Sequence, residues 1–333
     1  MFTAGKPPTR KPTHPATPTH THTHCRNYNY LFNKGNGRPP LPPAAPGQLN
    51  ISEADYYAVM TATLAEVWGR YKGEIFEIWF DGGESNQPLN DIIHEMQPTA
   101  IVTCGDAGPN YARLVSSETG YSPYPVWSTN TRPIASGSGS PTGAFFVPAE
   151  ADTPIATRDG WFWKPQQSYR PLSELKAVYR NTVGTNSVLE LGVLPDSTGS
   201  IPADQVALLQ AFGDYVRGCH SPAAAVAATS GRANALTIVL NATTTLDRVI
   251  LQEDLTLGEL VWAFTVEVKP EGGYSPAFVP VAEGTAVGHK RILYFASGPI
   301  SASEVRVTAT ALYPGAATAN WRNFAVYSPC ALE

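Results

Sequence analysis

Asp81 combines a reactive side chain with surroundings that suit sugar chemistry. It directly follows the apolar segment 74–80 (EIFEIWF), which ends in Trp79 and Phe80, and Gly82-Gly83 come after it. A carboxylate here can attack the carbon of a glycosidic bond, and the neighbouring rings offer flat surfaces to the C–H faces of a sugar. The two glycines let the backbone turn sharply. The pattern equally fits a residue that only caps the following loop, so both interpretations stay open.

Glycosidic cleavage with retention of configuration needs a second carboxylate, about 5–5.5 Å from the first, which acts as acid and then as base. The candidates all follow a predicted strand that ends near Cys104, and they are Asp106, Glu118, Glu150 and Asp152. Glu118 lies in a turn of small residues, whereas Glu150 and Asp152 precede Arg158, with which either acid could form a structural ion pair. Residue spacing does not choose among the four.

Strands and helices alternate in the segment that must position these acids. Apolar periodicity predicts helices over 52–71, 89–96, 172–182 and 203–217, and strands over 74–80, 100–103 and 188–193, with an irregular stretch from about 104 to Pro171. Such alternation is typical of βαβ units and a parallel sheet. Functional side chains in these folds follow the carboxyl ends of strands, which is the position of Asp81.

The pattern changes after Cys219. Short alternating segments separated by Gly, Pro and Ser predict an antiparallel β-sandwich with strands over 235–240, 248–252, 261–268, 291–295 and 305–310. The predicted fold class is therefore α/β plus all-β. We expect a disordered Pro/Thr/His-rich tail and linker over 1–49, a β/α region over 50–220 and the sandwich over 221–333.

Composition excludes several function classes. The 333 residues carry 23 Lys and Arg against 28 Asp and Glu, a net charge of −5, so neither nucleic acid nor an anionic membrane is an expected partner. No apolar run approaches the roughly 20 residues that span a bilayer, and the N-terminus lacks the apolar stretch of a signal peptide. His20, His22 and His24 predict only adventitious metal binding, and we expect no metal site and no cofactor.

The cysteines and two sequons bear on the compartment. None of the four cysteines forms a CxxC pair, which argues against a zinc or redox motif. Cys219 and Cys330 bracket the last third of the chain, and sequence alone leaves open whether they are bridged. The glycosylation sequons at Asn50 and Asn241 favour a secreted context.

Ordered motifs along the chain resemble glycoside hydrolase family 29, the α-L-fucosidases, and most closely its fungal and plant-type members. The central motif is Glu77-Ile78-Trp79-Phe80-Asp81-Gly82-Gly83, preceded by a helix with Leu64-Ala65-Glu66-Val67-Trp68. The motifs that follow it in order are Glu118-Thr119-Gly120, Pro148-Ala149-Glu150-Ala151-Asp152, Arg158-Asp159-Gly160-Trp161-Phe162-Trp163, Val183-Gly184-Thr185-Asn186 and Gly288-His289-Lys290-Arg291-Ile292.

The resemblance implies a retaining α-L-fucosidase with a (β/α)8 TIM-like barrel and a C-terminal sandwich. It implies that Asp81 is the nucleophile and Glu118 the acid/base, that Trp79 and Trp161 line the fucose pocket, and that Arg158 orients a carboxylate. Members of the subtype that this chain resembles have the acid/base in a Gly-Asn-Glu-x-Gly context, whereas Ser116-Ser117 precede Glu118 here. His289 and Glu253 match sandwich motifs and are expected to be structural.

The same resemblance implies a substrate and a location. The expected partner is a fucosylated oligosaccharide or glycoprotein, with no nucleic acid and no membrane insertion. The family implies an extracellular or vacuolar/lysosomal location.

A complete (β/α)8 barrel takes about 250 residues, more than lie between 50 and 220. We therefore expect a partial barrel that lacks its N-terminal half and the paired-histidine segment that binds sugar hydroxyls. Such a half-barrel predicts poor activity and poor solubility for the chain by itself. The alternatives are a non-catalytic carbohydrate-binding or interaction remnant, and a related retaining enzyme that acts on another sugar.

Overall fold

The chain divides into two compact units, residues 1–113 and residues 114–333. The computed structural model describes residues 19–22, 53–80, 87–103, 110–116, 118–132, 137–157, 160–271 and 277–333. In these residues no helix has both the length and the apolar character needed to cross a bilayer. Each unit has a hydrophobic core of its own.

The first unit alternates strands and helices, as the periodicity predicts. Its elements are β1 (Thr19–His22), α1 (Glu53–Arg70), β2 (Ile75–Trp79), α2 (Gln87–Met96), β3 (Ile101–Thr103) and β4 (Asn110–Leu114). The four strands pair in the order β1-β2-β3-β4, and every pair is parallel. The predicted helices over 52–71 and 89–96 and the strands over 74–80 and 100–103 are confirmed, with ends that differ by one or two residues.

The core of the first unit explains why these segments fold in this way. Leu64 and Trp68 lie one helical turn apart on α1, and Leu89 and Ile93 lie one turn apart on α2. All four side chains pack with the buried apolar residues of β2 and β3. The buried amide of Gln97 accepts hydrogen bonds from the backbone nitrogens of the turn between α1 and β2, and it donates to carbonyls at the end of α1.

One expectation for the N-terminal segment is wrong. Residues 1–49 are expected to contain no regular structure, but Thr19–His22 form β1, which pairs in parallel with β2 along Ile75 to Trp79. An edge strand needs only backbone groups to pair, so a tract of alternating Thr and His can add to a sheet although it has little to bury. The remainder of residues 1–49, with the predicted linker and the Asn50 sequon that follows it, lies outside the described residues.

The second unit begins with a β/α region. Its elements are β5 (Thr129–Asn130), β6 (Phe145–Phe146), β7 (Ala149–Pro154), α3 (Leu172–Thr182), β8 (Ser187–Gly192) and α4 (Ala203–His220). Strands β7 and β8 pair in parallel, and β5 and β6 form a short antiparallel ribbon. The predicted helix over 172–182 is confirmed to the residue, and the strand over 188–193 is displaced by one.

The stretch from 104 to 171 is expected to be irregular, and this expectation is also wrong. It contains most of β4 to β7, and all six residues of β7 are buried. Strand β7 reads AEADTP, so Thr153 is its one β-branched residue and it has none of the aromatic residues that help to identify a strand in sequence. Its residues form a strand because the neighbouring β8 pairs with it along its whole length, from Ala149 to Pro154.

The rest of the second unit is the predicted antiparallel sandwich. Its strands are β9 (Ala227–Arg232), β10 (Ala235–Leu246), β11 (Arg248–Glu253), β12 (Val261–Pro270), β13 (Val279–Thr285), β14 (Arg291–Tyr294), β15 (Ile300–Leu312) and β16 (Asn320–Tyr327). They form two four-stranded sheets, in the orders β10-β15-β12-β13 and β14-β11-β16-β9. All five predicted strands are confirmed. Three strands were missed: β9 and β13, which contain Gly or Pro, and β16.

The β/α region and the sandwich share one core inside the second unit, so the expected domain change near Ser221 falls within it. Tyr179 and Tyr215 of the helices pack with Ile250 and Tyr327 of the sandwich. A disulfide joins Cys219, near the end of α4, to Cys330 beyond β16. The bridge that the sequence leaves open is therefore formed.

Asn186, between α3 and β8, makes a second connection to the sandwich. Its buried side-chain amide donates to the Val126 carbonyl, to Ser128 Oγ and to Glu259 Oε1, at 2.9, 3.0 and 2.8 Å, and its Oδ1 accepts from the His289 backbone N–H at 2.7 Å. Asn186 has a φ of 64°, a left-handed conformation that Asn tolerates better than most residues. Both hydrogen-bonding groups of the amide are thus satisfied.

Glu253 and Glu259 are buried where the sandwich approaches Asn186. Three backbone N–H groups, those of Leu260, Val261 and Gly288, donate to the Glu253 carboxyl group. Burial is the main cause that raises the pKa of Glu253 to about 8, although those hydrogen bonds act in the opposite direction. These contacts agree with the structural role expected for Glu253 and His289.

The disulfide gives a first prediction. It closes a loop of 111 residues, for which chain entropy gives a stabilisation of about 4–5 kcal/mol. Replacing Cys219 and Cys330 together by Ala is expected to lower Tm by on the order of 10 °C in calorimetry. A reducing agent should lower the Tm of the parent chain and leave that of the double variant unchanged. Equal melting of both proteins under oxidising conditions would contradict this.

Candidate active site

The paired strands β7 and β8 carry two acids side by side. Asp152 lies opposite Glu190 in the parallel register, so both carboxylates project from the same face of the strand pair. Glu150 shares that face because it precedes Asp152 by two residues. The opposite face of β8 packs Leu191 against the helices. An acidic face therefore lies near the carboxyl ends of two parallel strands, where β/α folds place their functional groups.

The Asp152 carboxyl group has an unusual pKa. Burial, the largest cause, and the nearby charges of Glu118 and Glu190 together raise it from 3.8 to about 6, while a backbone hydrogen bond and a hydrogen bond from Ser116 act in the opposite direction. The side chain is only 9% exposed. Desolvation and like charges both disfavour ionisation, so the proton of Asp152 comes off within the pH range in which enzymes operate.

Glu118 is held over this face by a loop that is fastened to β7. The Val115 N–H donates to the Glu150 carbonyl at 2.9 Å, and the Gly120 N–H donates to the Asp152 carbonyl at 3.0 Å. Gly120 has a φ of 73°, and a Cβ at this position would lie 2.8 Å from the Thr153 side chain. Only glycine fits at this position, so Gly120 allows the loop to pack against β7.

The conformation of Glu118 is itself unusual. Its φ is 60°, a region that costs a non-glycine residue about 1 kcal/mol or more. The Thr153 hydroxyl donates to the Glu118 carbonyl at 3.1 Å and helps to hold this backbone in place. The carboxylate is exposed, and its Oε2 accepts a hydrogen bond of 2.9 Å from the indole Nε1–H of Trp161.

Trp161 is placed by the end of β8. A Cβ at Gly192, the last residue of that strand, would lie 2.7 Å from the Trp161 ring, so the ring rests on the strand backbone. The indole is half-buried between this backbone and the Glu118 carboxylate. A rigid aromatic side chain of this kind can fix one oxygen of a carboxylate while the other oxygen faces a ligand.

The buried side chain of Arg170 stabilises the carboxyl end of β7. It donates from Nε to the Pro154 carbonyl at 2.9 Å and from Nη2 to Thr153 Oγ1 at 2.9 Å, and it forms an ion pair with Glu174. Thr153 is thereby connected both to Arg170 and to Glu118. The chain of contacts runs from a buried cation to the backbone of the candidate acid/base.

The predicted site residues have different outcomes. Glu118 and Trp161 are brought into direct contact. Trp79 ends β2 and is 5% exposed. Asp81 and Arg158 lie outside the described residues, as does Asp106, so their roles stay predictions.

Two of the alternative acids are located differently from what the sequence suggests. Glu150 and Asp152 are expected on a loop, but both belong to the buried strand β7, for the reason given above. Neither is available on a mobile turn, and Asp152 instead contacts the loop that carries Glu118 through Ser116.

Sequence reasoning missed the residues that support this site, which are Ser116, Thr153, Arg170, Glu190 and Gly192. One signal was present: Glu150 and Asp152 alternate with small residues over six positions, the period of a strand. Nothing in the sequence relates Asp152 to Glu190, which come together only through strand pairing.

The arrangement suits proton transfer. An exposed carboxylate with one oxygen fixed by an N–H donor can give or take a proton at the other oxygen, provided that a reacting group lies within hydrogen-bond distance. Within the described ranges no group of three or more His, Cys, Asp or Glu side chains is arranged to hold a metal ion.

Comparisons with known proteins agree on one family. The family model described as Alpha-L-fucosidase matches residues 16–219. The chain is 32% identical over 185 residues to Alpha-L-fucosidase 1 of Arabidopsis thaliana, covering 50% of this chain and 36% of that protein. It is 27% identical over 282 residues to Putative alpha-L-fucosidase 1 of Oryza sativa subsp. japonica, covering 70% of this chain and 53% of that protein.

A solved structure has the same fold. The chain superposes on a putative α-L-fucosidase from Bacteroides thetaiotaomicron with a TM-score of 0.75 and 31% identity, over 83% of this chain and 66% of that one. The predicted fold class, a partial (β/α)8 barrel followed by an antiparallel β-sandwich, is confirmed. The chain spans 36% and 53% of the lengths of its two plant relatives.

The raised pKa of Asp152 gives a second prediction. Because the pKa is higher in the folded chain than in the unfolded one, ionisation costs stability as the pH rises from about 4 to about 6. Asp152→Asn removes this cost, so its Tm should match that of the parent at pH 4 and exceed it by about 2–4 °C at pH 7. Thermal melts of both proteins across this range test it, and a difference in Tm that does not change with pH would contradict it.

Proposed function

The chain belongs to the α-L-fucosidase family, glycoside hydrolase family 29, and we propose on this premise that it acts as a retaining glycosidase that removes terminal α-L-fucose from glycans or glycoconjugates. The observation that carries the proposal is the Glu118 carboxylate. It is exposed at the carboxyl ends of parallel strands, is held in a left-handed backbone conformation, and accepts a hydrogen bond from Trp161. Strained and well-fixed acids of this kind are typical of catalytic groups.

In the proposed reaction Asp81 is the nucleophile, and Glu118 is first the acid and then the base. The Asp81 carboxylate attacks the anomeric carbon, and the bond to the leaving oxygen breaks as Glu118 gives that oxygen its proton. A fucosyl ester on Asp81 results. Glu118, now ionised, takes a proton from water, which attacks the same carbon and releases fucose and Asp81. Two inversions in succession give net retention.

The remaining predicted residues take binding roles in this proposal. Trp161 forms a wall of the fucose pocket, because its ring already contacts the proposed acid/base. Trp79 ends the strand that leads to Asp81, and the family resemblance assigns it, like Trp161, to contact with the sugar. Arg158 orients a carboxylate. Sugars present apolar C–H faces to aromatic rings, while their hydroxyls require polar partners.

The substrate and the chemistry of the chain favour an oxidising compartment. The disulfide between Cys219 and Cys330 is of the kind that persists in secreted proteins. Asn241, the acceptor of one sequon, is exposed on β10, where a glycan can be attached. We therefore infer a secreted glycoprotein with an extracellular or vacuolar/lysosomal location, which acts on fucosylated oligosaccharides or glycoproteins.

Replacement of the proposed nucleophile is the third prediction. As a partial barrel the chain is expected to hydrolyse an aryl α-L-fucoside slowly, and Asp81→Ala should lower this kcat by at least about 10³-fold, because no covalent intermediate can form. Azide should restore turnover of the variant by entering from the face that Asp81 vacates. The product, identified by NMR, is then the β-configured fucosyl azide.

A matched control is Asp214→Ala, an exposed acid on α4 that is paired with Arg217. Its kcat is expected to stay within about twofold of the parent value. The proposal fails if Asp81→Ala retains parental turnover. Glycan binding by the parent chain without any turnover would favour the alternative of a non-catalytic carbohydrate-binding protein.

A further inference from the structure

Ser116 links the Glu118 loop to Asp152 through its side chain. Its hydroxyl lies 3.2 Å from Asp152 Oδ1 and 3.4 Å from the Asp152 carbonyl oxygen, and both oxygens can accept its proton. The subtype pattern noted above has glycine two residues before the acid/base, where this chain has Ser116. Glycine has no hydroxyl, so a chain with that pattern lacks this connection.

The backbone hydrogen bonds that attach the Glu118 loop to β7 lie at the two ends of the loop, and side chains hold the part between them. Val115 and Gly120 are fastened to the carbonyls of β7, one on each side of Glu118. Between these two points the backbone of Glu118 turns into its left-handed conformation. The Ser116 hydroxyl adds a contact on the N-terminal side of that turn, and the Thr153 hydroxyl holds the Glu118 carbonyl on the other.

Asp152 has other acidic side chains around it, so the hydrogen bond from the Ser116 hydroxyl is needed to keep it in place. Glu118 faces it from the loop and Glu190 faces it from β8, while Glu150 shares its strand face. Like charges at this spacing push the acids apart, so an ionised Asp152 needs a hydrogen-bond donor to remain in place. Ser116 supplies that donor, and a hydrogen bond to a charged acceptor is stronger than one to a neutral acceptor.

We propose that Asp152, acting through the Ser116 hydroxyl, is a positioning residue that holds Glu118 in the orientation required for proton transfer to the leaving oxygen. The role rests on the proposed function, because it serves the acid/base step. Glu118 Oε2 is directed to the Trp161 indole, and Oε1 is then directed to the substrate. Loss of the Ser116 contact frees the loop to turn Glu118 away from Trp161 and from the leaving oxygen.

A purely structural acid and a positioning acid respond differently to one substitution. Asp152→Ala removes the desolvated charge together with the oxygen that accepts the Ser116 proton, whereas Asp152→Asn keeps an accepting oxygen. The Ala variant is expected to melt close to the parent at pH 7, because removal of the desolvated charge offsets the lost packing. A positioning role requires that the same variant turns over more slowly. A residue that only holds the fold together would lose stability and turnover together.

The kinetic test compares Ser116→Ala, Asp152→Ala and the double variant with the parent on an aryl α-L-fucoside. Each single variant is expected to lower kcat by about 10- to 100-fold with KM within about twofold, because the substrate pocket is unchanged while the proton donor is misplaced. The double variant should lose no more than the stronger single variant, since both act through one contact. The control is Ser328→Ala, which removes a hydroxyl bonded to the Thr245 carbonyl in the sandwich.

The indole proton of Trp161 gives a readout that does not depend on turnover. In ¹⁵N-tryptophan-labelled protein its signal is assigned by its loss in Trp161→Phe, and its hydrogen bond to a carboxylate places it downfield. Ser116→Ala and Asp152→Ala should both move it upfield, whereas Ser328→Ala should leave it unchanged. The movement reports the orientation of Glu118 directly.

The outcomes separate the two proposals. Parental kcat together with an unmoved indole signal in both variants would overturn the positioning role, as would a fall in Tm at pH 7 that parallels the fall in kcat. A parent chain without turnover, whose indole signal still moves in both variants, contradicts the fucosidase proposal and supports the coupling of Asp152 to Glu118. Restored kcat in Ser116→Thr, which returns a hydroxyl, supports the role further.

Discussion

The buried amide of Asn186 is the interaction on which the second unit depends. One side chain satisfies partners in the segment before β5, in Glu259 and at His289, so it fixes the start of β8 against the sandwich. A buried amide that lost any of these partners would leave polar groups without compensation, at a cost of about 1–3 kcal/mol each. Gly288 belongs to the same constraint, since a Cβ there would lie 2.0 Å from Asn186 Oδ1.

Asn186 fixes the register of β8, and this register places the residues of the candidate site. With its start held at Asn186, β8 brings Glu190 opposite Asp152 and Gly192 beneath the Trp161 ring. The indole then meets Glu118, whose loop is fastened to the same strand that carries Asp152. A shift of β8 by one residue would turn Glu190 to the other face and separate these groups. The disulfide and the aromatic core at α4 join α3 and α4, the helices before and after β8, to the sandwich.

Sequence periodicity predicted most of the elements, because apolar residues at helical or strand spacing mark the faces that are buried. The helix over 172–182 and the five sandwich strands are examples. It failed for β1 and β7, which lack an apolar face that alternates along the strand and which form strands by pairing their backbone with a neighbouring strand. In the site, Glu118 and Trp161 were each identified by motif, but their hydrogen bond was not predictable, since residues 43 positions apart meet only after the strands have paired.

The sequence by itself determined the family, the residue types available for acid–base chemistry and the two architectural regions, because motifs and apolar spacing are local properties of the chain. Tertiary structure alone decided which acids become neighbours and what charge they carry. Glu118, Asp152 and Glu190 are ordinary carboxylates in sequence, and the pKa of Asp152 rises to about 6 only where folding removes it from water and sets two like charges beside it. Desolvation and proximity are properties of the folded state, and no local pattern encodes them.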